Sequence, residues 1–303
     1  MLRIQAVAVK KEGTLFPEPP YDFDKTLAFI SKFPPSKEES VNHSYTKAIL
    51  VHDQVILFHL LSTGNIESPT LQFRLYSDTF VTKRVEEKAI NRISMFLSLY
   101  DDMKPFYRLS ESDPHFYPIV KKLYGYHHVK FLTPFENACW AILSQRTPVP
   151  LARNIKHQLA NAFGKSIQRN DCTYTAFPEP NHLLNSAENE VLKIVLSKRK
   201  TQYILSAARE FAKVSDEFLK NEDYETVHNW LKKINGIGDW SASFIMLRGI
   251  GRMEKLPMSE KMLENKILSL YGKAADVSEI SGLYGNQVGY WAHYIRAEGL
   301  FNT

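Results

Sequence analysis

Cysteine is nearly missing: the chain has two, Cys139 and Cys172. That is too few for a disulfide scaffold, and without a four-cysteine cluster no cysteine-ligated iron–sulfur centre is expected. Both read as small buried apolar residues in a reducing compartment. No Cys/His grouping has zinc spacing, and His127-His128 reads as a loop pair. No apolar run approaches the roughly 18 residues of a membrane span, so no membrane partner is expected. The opening MLRIQAVAVKKEG is too charged for a signal peptide. Internal repeats and low-complexity tracts are missing too. The remaining composition, 44% hydrophobic and 23% charged over 303 residues, is that of a globular protein with one large or two modest domains. A net charge of +5 fits a polyanionic partner without requiring one.

Residues 1–105 read as a small α+β domain. Leu2 to Val9 partly alternates, as a strand does. A short helix runs from Thr26 to Phe33 and stops at Pro34-Pro35. Ala48-Ile-Leu-Val51 and Val55-Ile-Leu-Phe58 are arms of a strand pair around His52-Asp53-Gln54. Leu71 to Tyr76 is a further strand, and from Lys83 to Tyr100 the period turns helical. Residues 106–303 read as all helix. Pro134 to Leu143 is an apolar helix ending at Ser144-Gln145-Arg146-Thr147, with Pro148 and Pro150 barring its continuation. Lys198-Arg199-Lys200 opens another helix, and Lys261–Tyr271 and Tyr284–Leu300 close the chain. The fold class is therefore α+β, mainly α.

The sequence concentrates its signals in residues 231–260, LKKINGIGDWSASFIMLRGIGRMEKLPMSE. One helix ends at Lys232-Lys233, the turn Asn235-Gly236-Ile237-Gly238 follows, and Asp239 stands where a capping side chain would start the next helix. Trp240, Phe244, Leu247 and Ile250 fall mostly on one stripe of that second helix. Glycines let backbone amides face a phosphate, and the following helix start adds partial positive charge. Read by itself, the turn is equally a plain helical connection.

The hairpin, then Trp240-Ser-Ala-Ser-Phe-Ile-Met-Leu-Arg-Gly249, a basic turn and Leu256-Pro257-Met-Ser-Glu260, resembles the helix-hairpin-helix DNA glycosylases, in particular the 3-methyladenine DNA glycosylase II branch. Pro-Pro-Tyr-Asp-Phe23 resembles the opening of the same branch, so the resemblance covers nearly the whole chain. It implies a small N-terminal antiparallel sheet with helices, then an all-α glycosylase domain. It also implies duplex DNA with alkylated or damaged bases as the partner of a monomeric protein inside a DNA-containing compartment, nucleoid or nucleus. In the family an aspartate follows the Pro turn and is catalytic; here that position holds Glu260. The Ile-Leu-Ser-Gln turn matches the loop that pushes a side chain into the minor groove, with Arg146 in the wedge position and Gln145 beside it. The same two residues suit a solvated helix end. Gly236, Ile237 and Gly238 would grip phosphate, and Lys198 and Arg199 either join them or form a solvated face. A monovalent cation on carbonyls near Ile234 and Gly236 is implied too; no cofactor is required.

The chemistry of N-glycosidic cleavage fits these residue types. The departing base leaves positive charge on the sugar, which a carboxylate stabilises. An alkylated purine is already cationic and needs aromatic faces. Trp240 and Phe244, four apart, share a helix face, and the resemblance adds Phe29; aromatics at such spacing are also ordinary core. Strand-cutting relatives place a nucleophilic lysine where this chain has Trp240, so base excision without lyase activity is expected. The substitution of glutamate for aspartate leaves a second reading open: a lesion-binding protein with no hydrolysis.

Overall fold

The computed structural model describes residues 9–35, 43–256, 261–272 and 276–301. The expected first strand, Leu2 to Val9, lies almost wholly outside them; the described strand is β1, Val9–Leu15. Helix α1 is Phe23–Lys32, capped by Asp22, whose side chain accepts from the Lys25 amide. Strands β2 (Ser44–Val51), β3 (Gln54–Ser62) and β4 (Leu71–Tyr76) complete an antiparallel sheet in the order β1-β4-β3-β2. His52 and Asp53 both have positive φ, 47° and 68°. This is the two-residue mirror-image turn that matches strand twist. Helix α2, Lys83–Leu97, follows.

Over β2 and β3 both faces of the sheet are largely buried. Ile49, Val51, Ile56, Phe58 and Leu60 face the main core. Ala48, Leu50, Leu57 and Tyr76 face the other way, onto a separate small core with Ile167 and Ala176. That second cover comes from a hairpin, β5 (Lys165–Arg169) and β6 (Cys172–Ala176), turning at Asn170-Asp171 with φ 49° and 60°. The all-helical expectation from residue 106 onward did not include this hairpin, which puts Cys172 on the surface, whereas Cys139 is buried. Sheet strands that are apolar at every position need cover on both sides.

The helical part begins with α3 (Lys104–Ser110) and α4 (Tyr117–Lys122). Helix α5, Pro134–Ser144, is buried on every face from Phe135 to Leu143. Beside it lie α6 (Val149–Phe163) and α9 (Lys198–Phe211), and α7 (Pro180–Leu184) and α8 (Glu188–Val195) pack on α9. Next come α10 (Asp216–Asn221), α11 (Tyr224–Lys232) and α12 (Asp239–Ile245), the last running into a π-helical turn, Met246–Ile250. Helices α13 (Lys261–Tyr271), α14 (Val277–Tyr284) and α15 (Val288–Ala297) return to α3 and α4. There the buried Asp113 carboxylate accepts from Tyr271 Oη (2.5 Å) and Tyr284 Oη (2.9 Å). Tyr290, Trp291 and Tyr294 are core residues. His127 and His128 lie outside regular structure, as a loop pair should, yet are fully buried.

Beside α5, Glu136 and Lys156 form an ion pair at 2.6 Å, both side chains nearly solvent-free. Breaking one half of such a pair leaves an uncompensated buried charge. Glu136→Ala is expected to cost about 3–5 kcal/mol in urea unfolding. Replacing Glu136 and Lys156 together by methionine should recover most of that loss.

Candidate nucleic-acid interface and base pocket

The turn between α11 and α12 is anchored from below. Ile234 and Ile237 are buried, and the Ile237 amide donates to the Ile234 carbonyl at 3.0 Å. The two glycines do different work. Gly236 has φ +90°, and a Cβ there would lie 2.3 Å from Cγ of Tyr203. Gly238 is extended at φ −94° and serves as the N-cap of α12; a Cβ there would meet nothing within 4 Å. Asp239 is not the cap the sequence implied. It is the first helical residue, and its carboxylate pairs with Lys232 at 2.6 Å. That bond holds the carboxyl below its ordinary range. Gly238 has no side chain to cap the first amides of α12. Of the cation-holding carbonyls implied by the resemblance, that of Ile234 accepts from Ile237 and that of Gly236 from Gln145. Each keeps one lone pair. No group of three or more His, Cys, Asp or Glu able to hold a metal occurs among the described residues.

The turn after α5 is brought to the same surface. Arg146 is exposed and left-handed, φ 50°. Gln145 Nε2 donates to the Gly236 carbonyl at 2.8 Å, joining the expected wedge turn directly to the hairpin turn. Lys200, from α9, donates to the carbonyls of Leu143 (2.7 Å) and Gln145 (2.8 Å) and to Thr147 Oγ1. Burial, then the neighbouring Arg199, lowers its pKa. Bonds from a charged donor contribute about 1.5–3 kcal/mol each. Lys198 and Arg199 stay exposed beside it. Gln145, Arg146, Gly236, Gly238, Lys198 and Arg199 thus share one region of surface, while Ile237 lies beneath it. The sequence reads Lys200 as one of three like cations in a basic turn, and not as the one that faces inward. The available signal was its place as the third helical residue after the cap Ser197, one turn before Tyr203.

Trp240 and Phe244 stack with ring centres 5.2 Å apart and planes 7° from parallel. Trp240 is 43% exposed, an unusual position for an indole. Phe244 meets Phe131 edge-on at 6.2 Å, Phe131 meets Phe33 at 5.1 Å, and Phe33 meets Phe29 at 5.6 Å. Phe29 therefore stands at the buried end of an aromatic ladder whose open end is Trp240. The guanidinium of Arg248 lies over both inner rings, 5.0 Å from Phe29 and 4.8 Å from Phe33. It lies 3.4 Å from His293 Nδ1 and has no carboxylate partner among the described residues. Burial pushes its pKa down to about 10. Of the stripe expected from Trp240, Phe244, Leu247 and Ile250, the last three pack on the main core; a π turn follows α12, where the Gly251 amide bonds to the Met246 carbonyl at 2.8 Å. Leu247 and Ile250 go to the core while Trp240 faces out. Glu260, the expected carboxylate, lies outside the described residues. Cavities of about 490 and 670 Å³ open between sheet and helices, and neither is lined by Trp240, Phe244 or Phe29.

The two glycines separate in a stability measurement. Gly236→Ala is expected to lose at least about 1–2 kcal/mol in urea unfolding from its backbone conformation alone. Gly238→Ala, where the new Cβ meets nothing, should cost no more than about 1 kcal/mol, the difference between glycine and alanine at an N-cap.

Comparison with known proteins agrees with this geometry. Residues 139–279 match the family described as HhH-GPD superfamily base excision DNA repair protein. A DNA-3-methyladenine glycosylase of Bacillus subtilis (strain 168) is 26% identical over 253 residues, 82% of each chain. The solved 3-methyladenine DNA-glycosylase of Archaeoglobus fulgidus superposes with a TM-score of 0.77 at 17% identity, over 96% of this chain and all of that one. MBOgg1 in complex with a low-affinity DNA ligand gives 0.72 at 20% identity, over 97% and 98%. At such identities the two structures show a shared fold. The segment that matches this family, residues 139–279, contains both the hairpin turn and the turn after α5 that bonds to it.

Proposed function

We propose that this protein is a monofunctional DNA glycosylase that flips alkylated purines of the 3-methyladenine and 7-methylguanine type out of duplex DNA and hydrolyses their N-glycosidic bond. The observation that carries the reading is the joining of the Arg146 turn, the Gly236–Gly238 turn and the start of α9 beside an exposed, stacked tryptophan. Backbone amides at the hairpin and the exposed Lys198 and Arg199 are what a DNA backbone needs, without reading sequence. Arg146, exposed on the turn, would fill the hole left by an extruded nucleotide, and an arginine there would also be drawn by the negative minor groove. The free face of Trp240, backed by Phe244, offers a cationic purine its π surface. Phe29 contributes from behind, since Arg248 already lies over its ring. Glu260 would stabilise the oxocarbenium-like sugar and orient water. The bulky Trp240 in the slot of a strand-cutting lysine supports hydrolysis without lyase chemistry. A monovalent cation at the Ile234 and Gly236 carbonyls would add charge toward phosphate; no step depends on it.

The decisive test is single-turnover release of 3-methyladenine and 7-methylguanine from alkylated duplex. The native protein should release both. Glu260→Gln should lose on the order of 100-fold or more, while Glu260→Asp keeps or raises the rate. Release by the aspartate variant alone would instead mark a protein that binds lesions without hydrolysing them. Borohydride should trap no covalent DNA adduct; a trapped adduct would refute the hydrolytic mechanism. Gly238→Ala, though stably folded, should bind duplex DNA about tenfold more weakly, because its methyl occupies the space a phosphate needs.

A further inference from the structure

The ammonium of Lys200 has three protons, and all three are committed inside the chain, to Leu143 O, Gln145 O and Thr147 Oγ1. Unlike Lys198 and Arg199, it therefore has no donor left for a phosphate. Its acceptors bracket Arg146: two lie on the C-terminal end of α5, whose last carbonyls have no partner within the helix, and one lies just beyond it. Arg146 itself sits at φ 50°, a conformation that a side-chain-bearing residue adopts only when its surroundings hold it there. One turn along the same face of α9, Tyr203 packs against Gly236, and Gln145 closes the circuit by bonding to the Gly236 carbonyl. Helix α9 thus touches the wedge turn through Lys200 and the hairpin turn through Tyr203.

We infer that Lys200 is a positioning residue, which fixes the Arg146 turn in register with the hairpin so that backbone grip and base extrusion act at one nucleotide. The inference rests on the reading of Arg146 as the wedge. It assigns Lys200 to extrusion and leaves affinity for intact duplex to the exposed cations and the hairpin amides. A lesion opposite its partner base must be unpaired by the protein, whereas one opposite an abasic site is already half-released. The demand on Lys200 should differ between them.

The test compares native protein with Lys200→Met, Lys200→Arg, Thr147→Val, Arg146→Ala and the Lys200→Met/Arg146→Ala double variant. Two readouts are used: single-turnover release of 7-methylguanine from the two duplex contexts, and fluorescence of a 2-aminopurine beside a tetrahydrofuran abasic analogue, which rises on unstacking. Lys200→Met should bind undamaged duplex within about twofold of native, yet release the paired lesion and unstack the probe at least about tenfold less well, with about threefold or less lost on the unpaired lesion. Lys200→Arg should regain part of the loss, and Thr147→Val, which removes one uncharged acceptor, should show the same pattern more weakly. The double variant should be no worse than Arg146→Ala, because Lys200 acts through that residue. Equal losses in both contexts, additive effects in the double variant, or unimpaired release by Lys200→Met would overturn the inference. A native protein that unstacks the probe but releases no base refutes the proposed hydrolysis and leaves the inference to the fluorescence of the variants. A native protein that does neither overturns the inference as well.

Discussion

A helix buried on all sides must have both its ends satisfied by the protein, and α5 is such a helix. At its start Thr133 accepts from the Glu136 amide and Pro134 has no amide to satisfy. On its flank the one charge it buries, Glu136, is met by Lys156. At its end the carbonyls are met by Lys200, an ammonium brought from α9. The first two contacts are structural. The third is structural by origin, yet it falls where the chain must turn sharply to leave the core, and that turn carries Arg146 and Gln145. The interface is thus built around the end of the central helix, where exposed backbone had to be tied down in any case.

The aromatic ladder has a similar double character. Its inner members, Phe29 and Phe33, are core residues with Arg248 laid across them, and its outer member, Trp240, is largely exposed. Phe244 joins the ends, half-buried against Phe131 on one side and stacked under Trp240 on the other, while Leu247 and Ile250 of the following π turn are buried. A buried cation on the inner rings leaves the outer stack as the open π surface, and the charge of Arg248 discourages a second cation from going deeper.

Much of this was legible in the sequence because it follows from short-range periodicity. The β4 alternation, the Ala48–Val51 and Val55–Phe58 arms and the Gly-Ile-Gly turn each report their own geometry. Pairings across distance were not legible. Nothing near Asp239 reveals that Lys232 will take its carboxylate away from the helix start. The run Lys198-Arg199-Lys200 reads as three equivalent cations, and only the fold shows that the third faces inward to Leu143 and Gln145. Asn170-Asp171 did carry a hairpin signal of the same kind as His52-Asp53. It was masked by short flanking strands rich in polar residues, whose burial depends on a sheet far earlier in the chain. The place of Glu260 is legible only as motif spacing, since it lies outside the described residues.

The hairpin over the sheet has a consequence for how the chain is made. Ala48, Leu50, Leu57 and Tyr76 form an apolar face whose cover, Ile167 and Ala176, is synthesised roughly ninety residues later. At ribosomal speeds of about 5–20 residues per second, that face waits on the order of five to twenty seconds for its lid. During that interval the strands can pair, yet one of their two sides stays wet. The sheet thus reaches its final packing only after α5 and α6 have emerged, with strand pairing first and the second cover added later.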